Sequence, residues 1–196
     1  MPLLIDGAYG LPFPNIVFSQ ATPMWDDNTI VCLSLSKIGL PGVRTGIVVA
    51  NTQVTQAIRG ANAILNLAPS SFGPLLAQQL LNSGQLIDLA ENHIQPYYHS
   101  RLEQAMHWLD VALDGTPYRI HVAEGAFFLW VWLEGLPVSS DVLYQRLKVR
   151  DTLVISGSHF FLNSGASWPH RHECLRISYA QAPDQVEQGI RIIGEE

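Results

Sequence analysis

The chain has 196 residues, 47% of them hydrophobic, and a formal net charge of -6. That length fits one domain, or one and a fraction, with a proper core, and the acidic balance gives no general reason to bind nucleic acid or an anionic membrane. Two cysteines make no disulfide framework, the longest apolar run (126–133) is too short to span a bilayer as a helix, and the N-terminus carries no export signal.

In chain order, residues 2–5 read as a short buried strand, and 30–34 and 46–50 as two more. Continuous apolar strands covered on both faces are typical of parallel α/β sheets. Between the first two strands, residues 11–15 form a rigid loop with two prolines. Helical spacing begins at Pro74: Leu75, Leu76, Gln79 and Leu80 open one helix, closed by Asn82-Ser83-Gly84. A long amphipathic helix then covers 86–113, with Pro96 expected to kink or restart it. The period changes to two at Tyr118, predicting a hairpin of strands 118–122 and 126–133. Ser139 caps a short helix through Leu147, strands follow at 152–155 and 175–179, and Pro183-Asp184 opens a last helix. The expected fold class is α/β, ending in a small α+β unit. The expected division is 1–72 as part of a large domain, 73–113 as connecting helices and 114–196 as the small domain.

The chemistry concentrates in residues 34–46. Lys37 stands beside the hydroxyls of Ser34 and Ser36, and Arg44 follows after the Pro41-Gly42 turn. A lysine amine set among such groups can condense with an aldehyde and then carry protons as an acid/base. Ser34, Ser36 and Arg44 suit a phosphate, because hydroxyls donate to its oxygens and a guanidinium pairs with it as a planar fork. Asp6 ends the first strand, where a carboxylate could keep a pyridine nitrogen protonated, and Tyr9 could donate to a phenolic oxygen. Together these are the needs of pyridoxal 5'-phosphate. The plainer readings are a solvated loop lysine, turn serines, a surface arginine and an Asp that caps its own loop.

Arg176 lies in an apolar strand, where a charge requires an anion, either a bound carboxylate or a structural partner. The cluster His170-Arg171-His172-Glu173-Cys174 has metal-ligand types but no zinc-like spacing, so no metal is expected. Phe127, Phe128, Trp130 and Trp132 read as hairpin packing, and Cys32 and Cys174 as buried thiols.

The phrases Asp6-Gly7-Ala8-Tyr9, Ser34-Leu35-Ser36-Lys37 with Pro41-Gly42-Val43-Arg44-Thr45-Gly46, and Leu175-Arg176-Ile177-Ser178 resemble the class I/II aminotransferases of fold-type I. They occur in that family's order across essentially the whole chain. The resemblance implies Lys37 as the cofactor lysine, with Asp6, Tyr9, Ser34, Ser36 and Arg44 on pyridoxal 5'-phosphate. It makes Arg176 the binder of a substrate carboxylate, for amino acid and 2-oxo acid substrates, and the full-length enzyme a homodimer; the expected location, from the missing export signal and the two cysteines, is cytoplasmic. Arg44 falls seven residues after Lys37, which implies a subgroup with a short loop. The family's other phosphate-binding loop, its ring-stacking aromatic and its asparagine are absent before Asp6, so the chain resembles a C-terminal portion expected to be inactive alone. A lyase of the same fold, an aminotransferase with other substrates or a non-enzymatic remnant fits the same residues.

Overall fold

Strands β1 (Leu3–Gly7) and β2 (Thr29–Ser34) run parallel, and β3 (Gly46–Val49) returns antiparallel along the other edge of β2. The computed structural model describes residues 1–19, 21–22, 24–162 and 168–196, which divide into two compact units, Met1–Tyr97 and Tyr98–Glu196. The three strands lie close to their expected places, but the sheet is mixed. Only β2 has neighbours on both sides among the described residues, and Leu4 of β1 is 63% exposed.

The core of the first unit gathers Phe13, Leu33, Leu35, Ile38, Ala77, Leu86 and Ala90. The proline loop is part of it: Phe13, Asn15 and Ile16 are buried, and Gln95 Nε2 donates to the Val17 carbonyl at 2.9 Å. Helix α1 (Thr52–Leu65) is missing from the sequence expectation. Asn51 caps it, its side chain accepting from the Val54 N–H at 3.0 Å, yet no α1 residue is buried. Its apolar residues Val54, Ala57, Ile58, Ala61 and Leu65 recur at helical spacing, so the period was present in the sequence.

Helix α2 (Phe72–Asn82) begins ahead of the expected Leu75. The predicted long helix is three pieces: α3 (Gln85–Leu89), a π turn over Ala90–Ile94, and α4 (Gln95–Ala112). The π turn ends two residues before Pro96. A proline ring clashes with the carbonyl four residues back and has no N–H to give it, so a widened turn there is the expected accommodation.

In the second unit β4 (Tyr118–Ile120), β5 (Phe128–Leu133), β6 (Ile155–Ser156) and β7 (Cys174–Ser178) form an antiparallel sheet in the order β4-β5-β7-β6. The hairpin is present with shorter strands, Gly125 and Ala126 making its turn at φ 159° and 64°. The strand expected at 152–155 shrinks to β6. Residues 150–152 instead close the end of α5 (Ser140–Val149), the Thr152 N–H donating to the Leu147 carbonyl at 2.9 Å. Ser139 caps α5 through the Val142 N–H, and α6 (Pro183–Glu195) buries Val186, Ile190 and Ile193 at helical spacing.

Alternation fixes the two faces of this sheet. Leu129, Val131 and Leu133 of β5 and Leu175 and Ile177 of β7 are buried together on one. The opposite face carries Phe128, Trp130 and Trp132 with Cys174, Arg176 and Ser178, and Trp130 stands directly across from Arg176. Among the described residues no helix is long and apolar enough to cross a membrane.

Candidate functional site

Strand direction brings the sequence-distant residues together. Because β1 and β2 are parallel, Asp6 to Tyr9 and Ser34 to Lys37 leave the sheet at the same end. β3 pairs antiparallel with Ser34 opposite Gly46, so Arg44 enters at that end too. Six expected residues thus share the carboxyl-end rim of two parallel strands, where α/β sheets hold ligands.

Lys37 sits in a 3-10 turn, Ser36–Ile38. Leu35 and Ile38 on either side are 0% and 2% exposed, which anchors the turn while Lys37 itself is half-buried. The Leu35 N–H donates to the Thr45 carbonyl at 3.3 Å, closing the loop that carries both Lys37 and Arg44. Lys37 Nζ lies 5.6 Å from the centre of the Tyr9 ring, within cation–π range.

Ser34 Oγ accepts from the Ser36 N–H at 3.1 Å, and this leaves the hydroxyl proton to donate elsewhere. Asp6 Oδ1 accepts from the Ala8 N–H at 3.1 Å, so the capping role weighed for Asp6 is real, and its other oxygen is not engaged by that bond. Both Asp6 and Arg44 are exposed. Arg44 adopts a left-handed backbone, φ 48° and ψ 44°, after a 3-10 turn at Pro41–Val43. A non-glycine residue held there costs on the order of 1 kcal/mol, and such strain concentrates at ligand sites.

Gly73 escaped the sequence reading, although it positions this loop. A Cβ on it would come within 1.9 Å of Thr45 Oγ1 and 2.9 Å of the Val43 carbonyl oxygen, the residues on either side of Arg44. Only its lack of a side chain lets the first turn of α2 seat against them. Gly73→Ala should lower stability by about 1–3 kcal/mol, read as a fall in the urea midpoint. An unchanged midpoint would show that the loop yields freely.

Arg176 is half-buried on the aromatic face of the second unit. Its Cζ lies 4.3 Å from the Phe128 ring centre and 5.0 Å from that of Phe160. Phe160 in turn meets Trp130 edge-on at 5.2 Å. The aromatic row therefore packs, as expected, and also cradles the guanidinium. His170 joins this packing, stacked on Trp168 at 5.0 Å and edge-on to Trp132 at 4.7 Å. Cys174 is fully buried, and burial pushes its thiol up to about 11, which keeps it protonated at neutral pH. Cys32 is only half-buried, contrary to expectation, because it lies in the partly covered three-stranded sheet. No metal-binding group of His, Cys, Asp and Glu occurs among the described residues.

The donor set at the first unit's rim is an amine, two hydroxyls, a guanidinium, a carboxylate and a phenol. It matches an aldehyde that carries a phosphate and a basic ring nitrogen.

The model of the family described as aminotransferase class I and II matches residues 1–193. The chain is 42% identical over its whole length to the valine–pyruvate aminotransferase of Escherichia coli K12, of which it covers 47%. It superposes with a TM-score of 0.91 on the crystal structure of valine–pyruvate aminotransferase from Salmonella typhimurium LT2, at 44% identity, covering all of this chain and 50% of that one. The α-aminoadipate aminotransferase of Thermus thermophilus, solved with N-(5'-phosphopyridoxyl)-L-leucine, shares the fold at a TM-score of 0.80 and 23% identity, over 100% of this chain and 49% of its own. The chain thus spans about half the length of these relatives.

Proposed function

This chain belongs to the class I and II aminotransferases, and on that premise we propose that it forms the lysine-bearing half of an enzyme that moves an amino group between valine and pyruvate, giving 2-oxoisovalerate and alanine. The observation that carries the reading is the convergence of Asp6, Tyr9, Ser34, Ser36, Lys37 and Arg44 at one end of β1 and β2. The choice of valine and pyruvate is supported by the 42% identity to the E. coli enzyme.

In this proposal pyridoxal 5'-phosphate, when bound, supplies an electron sink for the bond broken at the substrate's Cα. Ser34, Ser36 and Arg44 hold its phosphate, and Tyr9 donates to its phenolic oxygen. The Asp6 carboxylate keeps a proton on its ring nitrogen. Lys37 binds it covalently through Nζ and, once displaced, moves a proton to and from the substrate Cα as acid and base. Buried Leu35 and Ile38 restrict where that amine can reach, which is the orientation proton transfer requires. Arg176 takes the substrate α-carboxylate as a fork.

Residues 1–72 then belong to the large cofactor domain, 73–113 are connecting helices and 114–196 are the small domain. The whole enzyme is proposed to be a cytoplasmic homodimer. The test joins this chain to the half of the E. coli relative that it does not cover and supplies alanine with 2-oxoisovalerate. Failure of that pair to react, with other amino acids turned over, would remove valine and pyruvate from the proposal. In the same joined enzyme Arg176→Lys should raise KM for valine and for pyruvate by at least about tenfold, since an ammonium cannot reproduce the fork. If only one KM rose, Arg176 would not be the common carboxylate site.

A further inference from the structure

Arg101 is a buried charge that the proposed reaction leaves without a task. It is 4% exposed on α4, in line with Ala105 and Leu109, which are fully buried one and two turns on. Nη1 donates to Gln104 Oε1 at 3.0 Å, and Nη2 to the carbonyls of Gln181 at 2.6 Å and Tyr179 at 3.4 Å. Its Nε is buried without a hydrogen-bond partner. None of the ion pairs among the described residues includes it. A guanidinium buried on neutral amide oxygens, with one donor unmet, is costly, and an apolar side chain of similar volume would often serve stability as well. What it holds is therefore informative.

Arg101 holds the segment directly beyond β7. Tyr179 in that segment donates its N–H to the Phe127 carbonyl at 3.1 Å and its O–H to the Ala126 carbonyl at 2.8 Å. The same attachment thus fixes the turn entering β5, where Ala126 has a left-handed backbone. Phe128 follows, and its ring lies 4.3 Å from Arg176 Cζ. Arg176 is thereby constrained along its own strand through Tyr179 and through its ring contact by way of Phe128.

We propose that Arg101 is a positioning residue for Arg176, holding the ends of β5 and β7 so that the Arg176 guanidinium presents its fork to a carboxylate. The role rests on the carboxylate reading of Arg176. The test uses the 196-residue chain, pyruvate as the probe and the Nε–H resonance of Arg176 as the reporter, assigned by its loss in Arg176→Lys. Pyruvate should shift that resonance in the wild-type chain, and in Arg101→Met the Kd from the titration should rise about tenfold. Arg101→Lys keeps the charge but loses the planar fork that serves Gln104 and the two carbonyls from separate nitrogens, and its Kd should rise in the same direction. An unchanged Kd in these variants, or in Arg101→Lys alone where Arg101→Met fails to fold, overturns the proposal whatever their melting temperatures. If pyruvate leaves the Arg176 resonance unmoved in the wild-type chain, the carboxylate reading fails first and the positioning role with it.

Discussion

Replacing Lys37 with alanine in the joined, full-length enzyme should remove covalent cofactor binding and lower turnover by about three to four orders of magnitude. In the proposed mechanism two losses combine in that figure: the amine that attaches the cofactor and the base that moves the Cα proton. No second lysine lies in the first unit to take over either role. Tyr9 is the aromatic ring its Nζ faces, and the flanking Leu35 and Ile38 are buried hydrocarbons. After borohydride reduction, mass spectrometry of the unmutated enzyme should place the pyridoxyl adduct on Lys37. Lys148 is the only other lysine in this chain and lies in α5 of the second unit, so it is the one alternative that these 196 residues offer. An adduct on Lys148, or turnover surviving in Lys37→Ala, would sink the assignment.

That this site can be tested so narrowly reflects how local its signal is. Ser34, Ser36, Lys37 and Arg44 lie within eleven consecutive residues, and hydroxyl, amine and guanidinium at those offsets speak for an anion and an aldehyde before any fold is known. Asp6 and Tyr9 are at least 25 residues away, and what joins them to the lysine turn is the parallel register of β1 on β2, a long-range property. Arg176 was legible as a charge in an apolar strand. Its seat between Phe128 and Phe160 was not, because Phe160 reaches it from a separate turn, Gly157–Phe160.

α4 was readable only as part of one longer helix, from its apolar spacing, and α6 from the Pro183-Asp184 that opens it. α1 carried two local signs, a cap at Asn51 and the apolar stripe Val54, Ala57, Ile58, Ala61 and Leu65, so its absence from the expectation is not explained by its sequence. The π turn before Pro96 has no composition of its own; a proline announces a disturbance without saying whether the chain bends, breaks or widens. Gly73 and Arg101 show the same limit. A glycine early in a helix and an arginine on an α-helical stripe look ordinary until the neighbouring backbone is in place. In Arg101 the i, i+4, i+8 alignment with Ala105 and Leu109 was a usable hint of burial.

Asp6→Ala should leave the cofactor attached to Lys37 yet cut turnover by about two to three orders of magnitude. The reason is a charge that matters only as the reaction proceeds. A carboxylate beside the ring nitrogen would keep it protonated, and a cofactor so protonated would supply a stronger sink for the electrons at Cα. In the proposed site, attachment through Lys37 Nζ and phosphate binding through Ser34, Ser36 and Arg44 do not depend on it. The substitution therefore separates attachment from chemistry: the adduct trapped by borohydride stays on Lys37 while kcat falls. The hydrogen bond it removes, from the Ala8 N–H to Asp6 Oδ1, is a local turn at an exposed residue, so the fold should survive. Asp6→Asn sharpens the test, because it retains an acceptor for Ala8 but not the negative charge. It should be nearly as slow as Asp6→Ala if charge is the cause. Recovery of activity in Asp6→Asn would instead show that Asp6 serves the turn, and that the ring nitrogen is protonated by another group.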